Sequence, residues 1–582
     1  MLRRLRREQF LIILPLLALA TGCVDGNLVD SSRRPAGSAG TDAAAGSGSD
    51  SGSGSNAGSG TVASAGSGDI SSPLLPARIR RLTKAEYENS ARAVVGNSEP
   101  VAADFAPDAR QGGYTVNDAQ RVDSVLVKQI STAASKLAEQ VRSKLDTLAP
   151  CANPTAGGEA CAKTFIQSFA SRAYRRPLGD DEVGKLLALF HVGADGATYA
   201  DGIELVATGV LQSAGFLYLN ETGDKAAGSQ VSLTPYETAS AISYLVTGGP
   251  PDAELIAAAA KGQLETPEQR SAVFARLLSS ADSRARVLRV VQEWLGTDRL
   301  PDTGKDTQVY GDFAKLKPAM VSETGAFLQR LLERKTGTVG ELLGANWSVA
   351  QNQDLTALYG GSAASDGEIT LPERRGILNQ GAFLSVYAHA SETGPVLRGV
   401  AILRRVACQF IASPSELKLA VPPLAPDPTK STRQRLEAHV SDAACAGCHR
   451  AIDPLGFSFE QYDGMGKHRT TDNGNPVDSQ TTVKLNVDFD GDYANSDQLA
   501  SALATSATVR ECFARNVFRA SMGRSGDDVK AAETAFVNYW KTVPAPAPDA
   551  THPTPASAAE GSILEALRSV VTSPNFTLRR AQ

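Results

Sequence analysis

The chain has almost no excess of charge of either sign. Its 582 residues contain 58 Lys and Arg against 63 Asp and Glu, a formal net charge of −5. So small an imbalance over this length lacks the basic surface that nucleic acids require, and we expect no nucleic-acid partner. Aromatic residues make up only 6% of the chain, which disfavours a surface for stacking carbohydrates.

Cysteine and histidine are also scarce. Seven cysteines are far too few for a disulfide scaffold, so folding must depend on hydrophobic cores. A hydrophobic content of 42% is sufficient for such cores, and the length of the chain requires several of them. There are only six histidines. A close grouping of cysteine and histidine in such a chain is informative because it rarely arises by chance.

The start of the chain lacks a hydrophobic run long enough to span a bilayer. Arginines precede a short apolar stretch, Phe10–Ala20, and the small residues of ATGC lead to Cys23. This order is typical of a bacterial lipoprotein signal. We expect residues 1–22 to be a cleaved signal peptide and Cys23 to be acylated. The alternative is an ordinary signal peptide in which the cysteine is incidental.

The next segment, residues 23–76, lacks apolar bulk. Glycine, serine and alanine dominate it between Gly37 and Gly68, and such a composition cannot bury enough surface to fold. We expect a disordered tether between a lipid anchor and a body that begins near Ala77. The protein would then be an exported lipoprotein of the cell envelope, periplasmic or anchored at the outer membrane, with Cys23 in a lipid bilayer.

From Ala77 onward, apolar residues recur at the helical period of 3.6 almost everywhere, which predicts a mainly α body. Thr83 three residues before Glu86 forms a capping-box signal, and Thr234 before Pro235 marks another helix start. Beyond residue 470, Asn-Gly and Asp-Gly signals separate residues that alternate in hydrophobicity. This pattern predicts a small β-hairpin insertion among the helices.

Cys445 and Cys448 are separated by two residues and followed at once by His449, in the run CAGCH. This is the attachment signature of c-type haem, in which two thiols bond the porphyrin and the adjacent imidazole binds iron. We predict one covalent haem c per chain, with His449 as the metal ligand. A zinc site would need further ligands nearby, and a redox CxxC pair would need a thioredoxin-like context.

The residues after the motif predict how the imidazole is held. A proximal histidine usually donates its second ring N–H to a backbone carbonyl or a carboxylate. Pro454 offers a carbonyl on a predicted rigid loop and is therefore assigned to the cofactor site. Phe457 and Phe459 would pack on the porphyrin. The alternative is a plain turn with core aromatics.

Four other cysteines are expected to pair in an oxidising compartment. Cys151 and Cys161 flank a short loop rich in proline and glycine, which favours a local disulfide. Cys408 and Cys512 are distant single cysteines of an exported chain, and we predict that they form a long-range disulfide. That bond would tie the CAGCH segment between two flanking helices.

The blocks of this chain resemble the multi-domain exported proteins of unknown function that carry a planctomycete-type cytochrome c-like haem module, also common in myxobacteria. The resemblance is carried by RRLTKAEYENSARAVVG (80–96), RAYRRPLGDDEV (172–183), VLQSAGFLYLNE (210–221), LTPYETASAISYLV (233–246), RRGILNQGAFLS with GPVLRGV (374–400) and CAGCHRAIDPLGFSFEQYDGMGKHR (445–469). It covers nearly all of residues 77–582. One departure is that Val246 and Thr247 stand where such proteins usually carry a tryptophan.

The expected fold class is a mainly α, multi-domain helical protein with a C-terminal cytochrome c-like module and a small β-hairpin insertion. The expected domains are helical bodies at 77–150, 151–225 and 226–365, a haem c-binding module at 366–470, and a C-terminal domain with the hairpin and helices at 471–582. The resemblance supports this architecture but implies little about function, because the families are themselves largely uncharacterised.

The sixth iron ligand would decide the function. A Met or His ligand gives an electron carrier, whereas an open position permits peroxide or oxygen chemistry. The candidates are His439, Met465 and Met522; the resemblance implies that histidine tends to occupy the first position and that aliphatic residues suffice at the other two. We expect one-electron transfer to an unidentified redox partner. The alternatives are a haem enzyme whose helical domains hold the substrate, and a structural or binding lipoprotein of the envelope.

Overall fold

The computed structural model describes residues 73–96, 99–151, 158–333, 337–371, 373–412, 416, 427–437, 440, 443–546 and 556–581. The predicted signal peptide, the tether with Cys23, and His439 lie outside these residues. The fold is mainly α, as predicted, with short antiparallel strand pairs between the helices. Among the described helices, none combines the length and the apolar composition needed to cross a bilayer.

The N-terminal region folds around a hydrophobic core of its own, formed by side chains between Tyr87 and Phe216. Its elements are β1 (Arg78–Arg81), α1 (Lys84–Val95), α2 (Ser124–Ser143), α3 (Leu145–Leu148), α4 (Glu159–Tyr174), α5 (Asp180–Ala194), α6 (Tyr199–Leu211), α7 (Ala214–Leu217) and β2 (Tyr218–Glu221). The predicted Cys151–Cys161 disulfide is confirmed and lies at the start of α4.

Local sequence signals account for the helix ends. The hydroxyl of Thr83 accepts a hydrogen bond from the backbone of Glu86, and the Glu86 carboxylate accepts one from the backbone of Thr83, which confirms the predicted capping box. Helix α1 ends at Gly96, whose φ of 69° favours glycine. Thr234 caps a later helix (Pro235–Thr247) in the same way, with Pro235 in its first turn.

The central region continues the helical pattern. Its elements are β3 (Lys225–Ala227), β4 (Gln230–Ser232), α8 (Pro235–Thr247), α9 (Ala253–Ala260), α10 (Pro267–Leu277), α11 (Ala281–Leu295), a 3-10 helix (Thr297–Asp302), α12 (Phe313–Glu333), α13 (Val339–Gly344), β5 (Trp347–Val349), α14 (Gln353–Tyr359) and β6 (Glu368–Thr370). Strands β5 and β6 pair with each other.

The C-terminal region contains the CAGCH motif. Its elements are a 3-10 turn (Ile377–Asn379), α15 (Gly381–Val386), α16 (Pro395–Ala401), a π-helical turn (Ile402–Val406), α17 (Thr432–Glu437), α18 (Ala443–Phe457), β7 (Thr471–Asp472), β8 (Asn475–Pro476), β9 (Thr481–Val483), β10 (Gly491–Tyr493), α19 (Ser496–Thr505), α20 (Ala507–Met522), a 3-10 turn (Asp527–Val529), α21 (Lys530–Trp540), α22 (Ile563–Thr572) and β11 (Leu578–Arg580). The predicted hairpin insertion is present as two short pairs, β7–β8 and β9–β10.

The central and C-terminal regions share one large hydrophobic core. Trp294 of α11, Leu455 of α18 and Phe513 of α20 all belong to it, so the helix that carries the motif is built into the body of the protein. Ion pairs also join distant segments: the buried Glu221 carboxylate accepts hydrogen bonds from Arg78 and Arg579. These two guanidinium groups hold the pKa of Glu221 far below its usual range, against the effect of burial.

One buried carboxyl group lies apart from the motif. Glu323 of α12 is only 1% exposed, and it accepts hydrogen bonds from the hydroxyls of Ser348 and Tyr359 at 2.7 and 2.6 Å. Burial raises the pKa of Glu323 to about 7, although these hydrogen bonds and Arg374 oppose the rise. The folded protein therefore keeps this group protonated at pH values where the unfolded chain does not.

This shift predicts a pH-dependent contribution to stability. The contribution is complete below the unfolded pKa near 4.5 and is lost as the pH rises towards 7, by a total of about 3 kcal/mol. Because Glu323→Gln cannot ionise, its apparent Tm should rise relative to the wild type between pH 5 and 8. Glu333→Gln, on an exposed position of the same helix, is the control. Parallel Tm profiles for the wild type and Glu323→Gln would contradict the assignment.

Candidate functional site

The three residues of the motif share one helix. Cys445, Cys448 and His449 lie in α18, which runs from Ala443 to Phe457. Residues spaced i, i+3 and i+4 point to the same side of a helix, so the two thiols and the imidazole face one direction. The side chains of both cysteines are partly exposed, and that of His449 is 18% exposed. A group that binds all three can therefore approach from outside the core.

Two glycines press α18 against α16 (Pro395–Ala401). A Cβ atom added to Gly456 would lie 1.9 Å from the carbonyl oxygen of Pro395, and one added to Gly399 would lie 2.2 Å from that of Ile452. Such distances are far below van der Waals contact, so only glycine permits this close approach. The contacts run antiparallel along the two helices and fix the position of α18 in the protein.

Gly456→Ala is therefore expected to lower stability by about 1 to 3 kcal/mol, because the backbones of two helices must move apart. Gly447→Ala is the matched control in the same helix. A Cβ at Gly447 meets no heavy atom within 4 Å, and alanine should favour the helix by about 1 kcal/mol. Thermal unfolding of the two variants measures the contrast. Equal shifts in Tm would contradict the packing described here.

The imidazole of His449 is held by a carboxylate on its own helix. His449 Nδ1 lies 2.8 Å from Asp453 Oδ1, one helical turn further along. Asp453 is buried, and its hydrogen bond raises the pKa of His449 while burial opposes the rise. This contact orients the ring, and a metal would be coordinated through the opposite nitrogen, Nε2.

Pro454 differs from its predicted setting. The prediction that it lies on a loop is wrong, because α18 continues through Pro454 to Phe457. A proline inside a helix removes one backbone hydrogen bond, and α18 nevertheless continues for three residues beyond Pro454. The ring of His449 is oriented by the Asp453 carboxylate rather than by a loop carbonyl. The i, i+4 spacing of HRAID was the sequence signal for this pair.

The two predicted porphyrin-packing aromatics have other partners. Phe459 is fully buried in the main core, where its ring centroid lies 6.4 Å from that of Phe383. The guanidinium of Arg433 covers the ring of Phe457, 5.0 Å from its centroid. Both rings therefore contact protein side chains near α18. For Phe459, the alternative prediction of a core aromatic is the one that agrees with the structure.

Among the described residues, the remaining cysteines outside the motif are paired, whereas those of the motif are not. The predicted Cys408–Cys512 disulfide is confirmed and connects the chain after the π-helical turn to α20. Cys445 and Cys448 form no disulfide with each other, unlike a CxxC redox pair in its oxidised form. Within the part of the chain that the structure describes, no three His, Cys, Asp or Glu side chains are grouped to hold a metal ion.

The candidate distal methionines lie in hydrophobic clusters. Met465 is buried in a small cluster with Tyr310 and Met320, separate from the core that includes Cys448. Met522 ends α20, ten residues beyond Cys512 and therefore about 15 Å along the helix axis. Core packing accounts for both side chains. His439, the third candidate, lies outside the described residues.

These features define a class of protein. It is mainly α, has several helical regions, and carries a cysteine–histidine site on a helix that packs against the main core. Four family models match the chain, each described as a protein of unknown function: PSD3 (DUF1587) at 80–143, PSD5 (DUF1595) at 161–221, PSD4 (DUF1592) at 233–360 and PSCyt3 (DUF1588) at 374–472. These four domains, in this order, are those of the planctomycete cytochrome c-like multi-domain proteins, which the chain resembles in its architecture. No curated protein and no solved structure matches it.

The motif lies inside the PSCyt3 match, whose name points to a cytochrome c-like module. The residues present fit a haem c group. Two unpaired thiols and one imidazole share a helix face, and Asp453 already occupies the second ring nitrogen of His449. This donor set can form two thioether bonds and supply one iron ligand.

Proposed function

We propose that the module at 374–472 binds one haem c covalently through Cys445 and Cys448, with His449 as an iron ligand, and that the protein transfers single electrons outside the cytoplasmic membrane. The supporting observation is the shared helix face of two unpaired thiols and an imidazole that is already oriented. When bound, haem c supplies an iron that gains and loses one electron reversibly.

The protein's own residues position this chemistry. The two thiols fix one edge of the ligand to α18, and the Gly399 and Gly456 contacts fix α18 to α16. Asp453 holds the plane of the imidazole through Nδ1. Because the helix also belongs to the main core, the site is rigid on the side that faces the protein. A rigid site limits the rearrangement that accompanies electron transfer.

The proposal places the protein in the cell envelope. An exported chain anchored by an acylated Cys23 would carry its site outside the membrane, where thioether attachment takes place. The disulfides Cys151–Cys161 and Cys408–Cys512 support an oxidising compartment. The partner would be another redox protein, and the near-neutral charge balance supports no nucleic-acid partner.

The positions of Met465 and Met522 favour a second candidate, a haem enzyme. Both side chains are buried in hydrophobic clusters, and an iron without a protein ligand on its second side could accept a small oxidant. A substrate would then be held by the preceding helical regions. The haem enzyme and the electron carrier would attach haem in the same way. They would differ only in whether a protein residue occupies the sixth coordination position of the iron.

The visible spectrum of the full-length protein tests the proposal. It should be purified from cells that have the c-type haem maturation machinery. A low-spin ferric spectrum supports the electron carrier, and a high-spin spectrum supports the enzyme. Substitution of His439, Met465 and Met522, one at a time, then identifies the distal ligand, since only its loss changes the spectrum. A colourless protein would contradict both candidates.

A further inference from the structure

We infer that Asp453 is a positioning residue that holds His449 through its carboxylate charge and thereby biases the haem iron towards the ferric state. This inference rests on the proposed function, because it concerns the iron that His449 would bind. It goes further by assigning the property that decides which partners can exchange electrons with the site, namely its reduction potential. A low reduction potential at this iron would make the protein a better electron donor than electron acceptor.

The carboxylate of Asp453 is in direct contact with the ring of His449. Asp453 lies one turn beyond His449 in α18, and its Oδ1 is 2.8 Å from Nδ1. The carboxylate is only 3% exposed, and Oδ2 is buried without a hydrogen-bond partner among the described residues. A backbone carbonyl could orient the ring equally well. The structure instead provides a group that carries a full negative charge when ionised.

Nothing in the described structure neutralises this charge apart from the imidazole itself. In the described part of the chain, the imidazole of His449 is the only basic side chain within ion-pair distance of Asp453. Neighbouring residues of α18, Ile452 and Leu455, are buried and apolar. Solvent therefore screens the charge weakly, and its electrostatic effect on groups near His449 is larger than that of a surface carboxylate.

Two physical effects act in the same direction. A carboxylate that accepts the Nδ1 proton of His449 makes the opposite nitrogen a stronger electron donor. Ferric iron carries one more positive charge than ferrous iron, so a buried anion beyond the imidazole stabilises the oxidised form more than the reduced form. Hydrogen bonding to an axial ligand is an established means by which proteins adjust iron potentials. Asp453 should therefore lower the potential.

Asp453→Asn tests the charge while keeping an oxygen that can accept the Nδ1 proton. We expect its midpoint potential to rise by an amount that shifts the reduction equilibrium at least tenfold, which equals 59 mV for one electron. Where the ferrous iron is five-coordinate, its Fe–His stretching frequency, measured by resonance Raman spectroscopy, should also fall. Asp478→Asn, which removes an exposed carboxylate paired with Arg433, is the control and should leave both quantities unchanged.

A second variant guards against misfolding. Asp453→Ser places a smaller neutral acceptor at the same helix position, and it should raise the potential in the same direction. Haem-loaded variants at 453 that keep the wild-type potential and stretching frequency would overturn the inference while leaving the proposed function intact. A wild-type protein without covalent haem would instead contradict the proposed function, and the inference with it.

Discussion

A chain in which Cys445 and Cys448 are both replaced by alanine is expected to retain no haem after denaturation. Each thiol would form one of the two covalent bonds to the porphyrin, and His449 alone provides only a coordinate bond that denaturants break. Haem staining of the denatured protein in a gel measures the loss. The single variants should retain reduced staining, because one thioether still attaches the group.

The chain offers a matched control for this experiment. Cys151→Ala with Cys161→Ala also removes two cysteines, but these form a disulfide in the N-terminal region. That double variant should stain like the wild type for the amount of protein present. Equal loss of haem in both double variants would show that staining follows folding rather than thioether formation, and would contradict the assignment of Cys445 and Cys448.

Replacing Cys408 and Cys512 with alanine is expected to reduce the free energy of unfolding by about 4 to 5 kcal/mol. The disulfide joins residues that are 104 positions apart, and a link across so long a loop restricts the unfolded chain strongly. Both cysteines are also close to the turn that packs against the motif helix, so its local order should decline. Denaturant unfolding without a reducing agent measures the change in midpoint.

The Cys151–Cys161 pair provides the comparison for this prediction as well. It closes only 10 residues, for which the same entropic argument gives a smaller loss of about 3 kcal/mol. The long-range pair should therefore be the more damaging one to remove. If removing the local disulfide proves more harmful, the chain-entropy account is wrong for this protein and native contacts at each bond determine its effect.

Much of the site could be predicted from local sequence. The CAGCH spacing specifies the thiols and imidazole without reference to the rest of the fold, because the proposed porphyrin would fix their separation. Caps at Thr83 and Thr234 also depend on neighbouring residues alone. Disulfide pairing followed from the small number of cysteines: once the motif and Cys23 are set aside, only four remain.

Other features depended on contacts between distant segments and were not visible in the sequence. Pro454 suggested a loop, since proline disfavours a helix interior, but the helix continues to Phe457, and Gly456 within it lies in close contact with Pro395. The pairing of β1 (Arg78–Arg81) with β2 (Tyr218–Glu221) likewise joins residues separated by most of the N-terminal region. Periodicity predicts which residues are apolar but does not identify their partners.

Asp453 combines a feature that local sequence predicts with one that depends on tertiary contacts. Its spacing from His449 was readable, since i and i+4 are neighbours on any helix. The choice of Asp453 over the Pro454 carbonyl required the helix to continue, and that continuation depends on tertiary packing. The same packing buries the carboxylate and removes solvent from it. The contact of Asp453 with His449 could therefore be predicted from the sequence, whereas the burial of Asp453 could not.

The most direct test of the central claim is mass spectrometry of the purified full-length protein after proteolysis under denaturing conditions. The peptide that contains Cys445 and Cys448 should carry the additional mass of one haem, and every other cysteine-containing peptide should lack it. Cells that attach haem to a reference c-type cytochrome provide the positive control. If the reference carries haem while the Cys445–Cys448 peptide has its unmodified mass, the account of this site is contradicted.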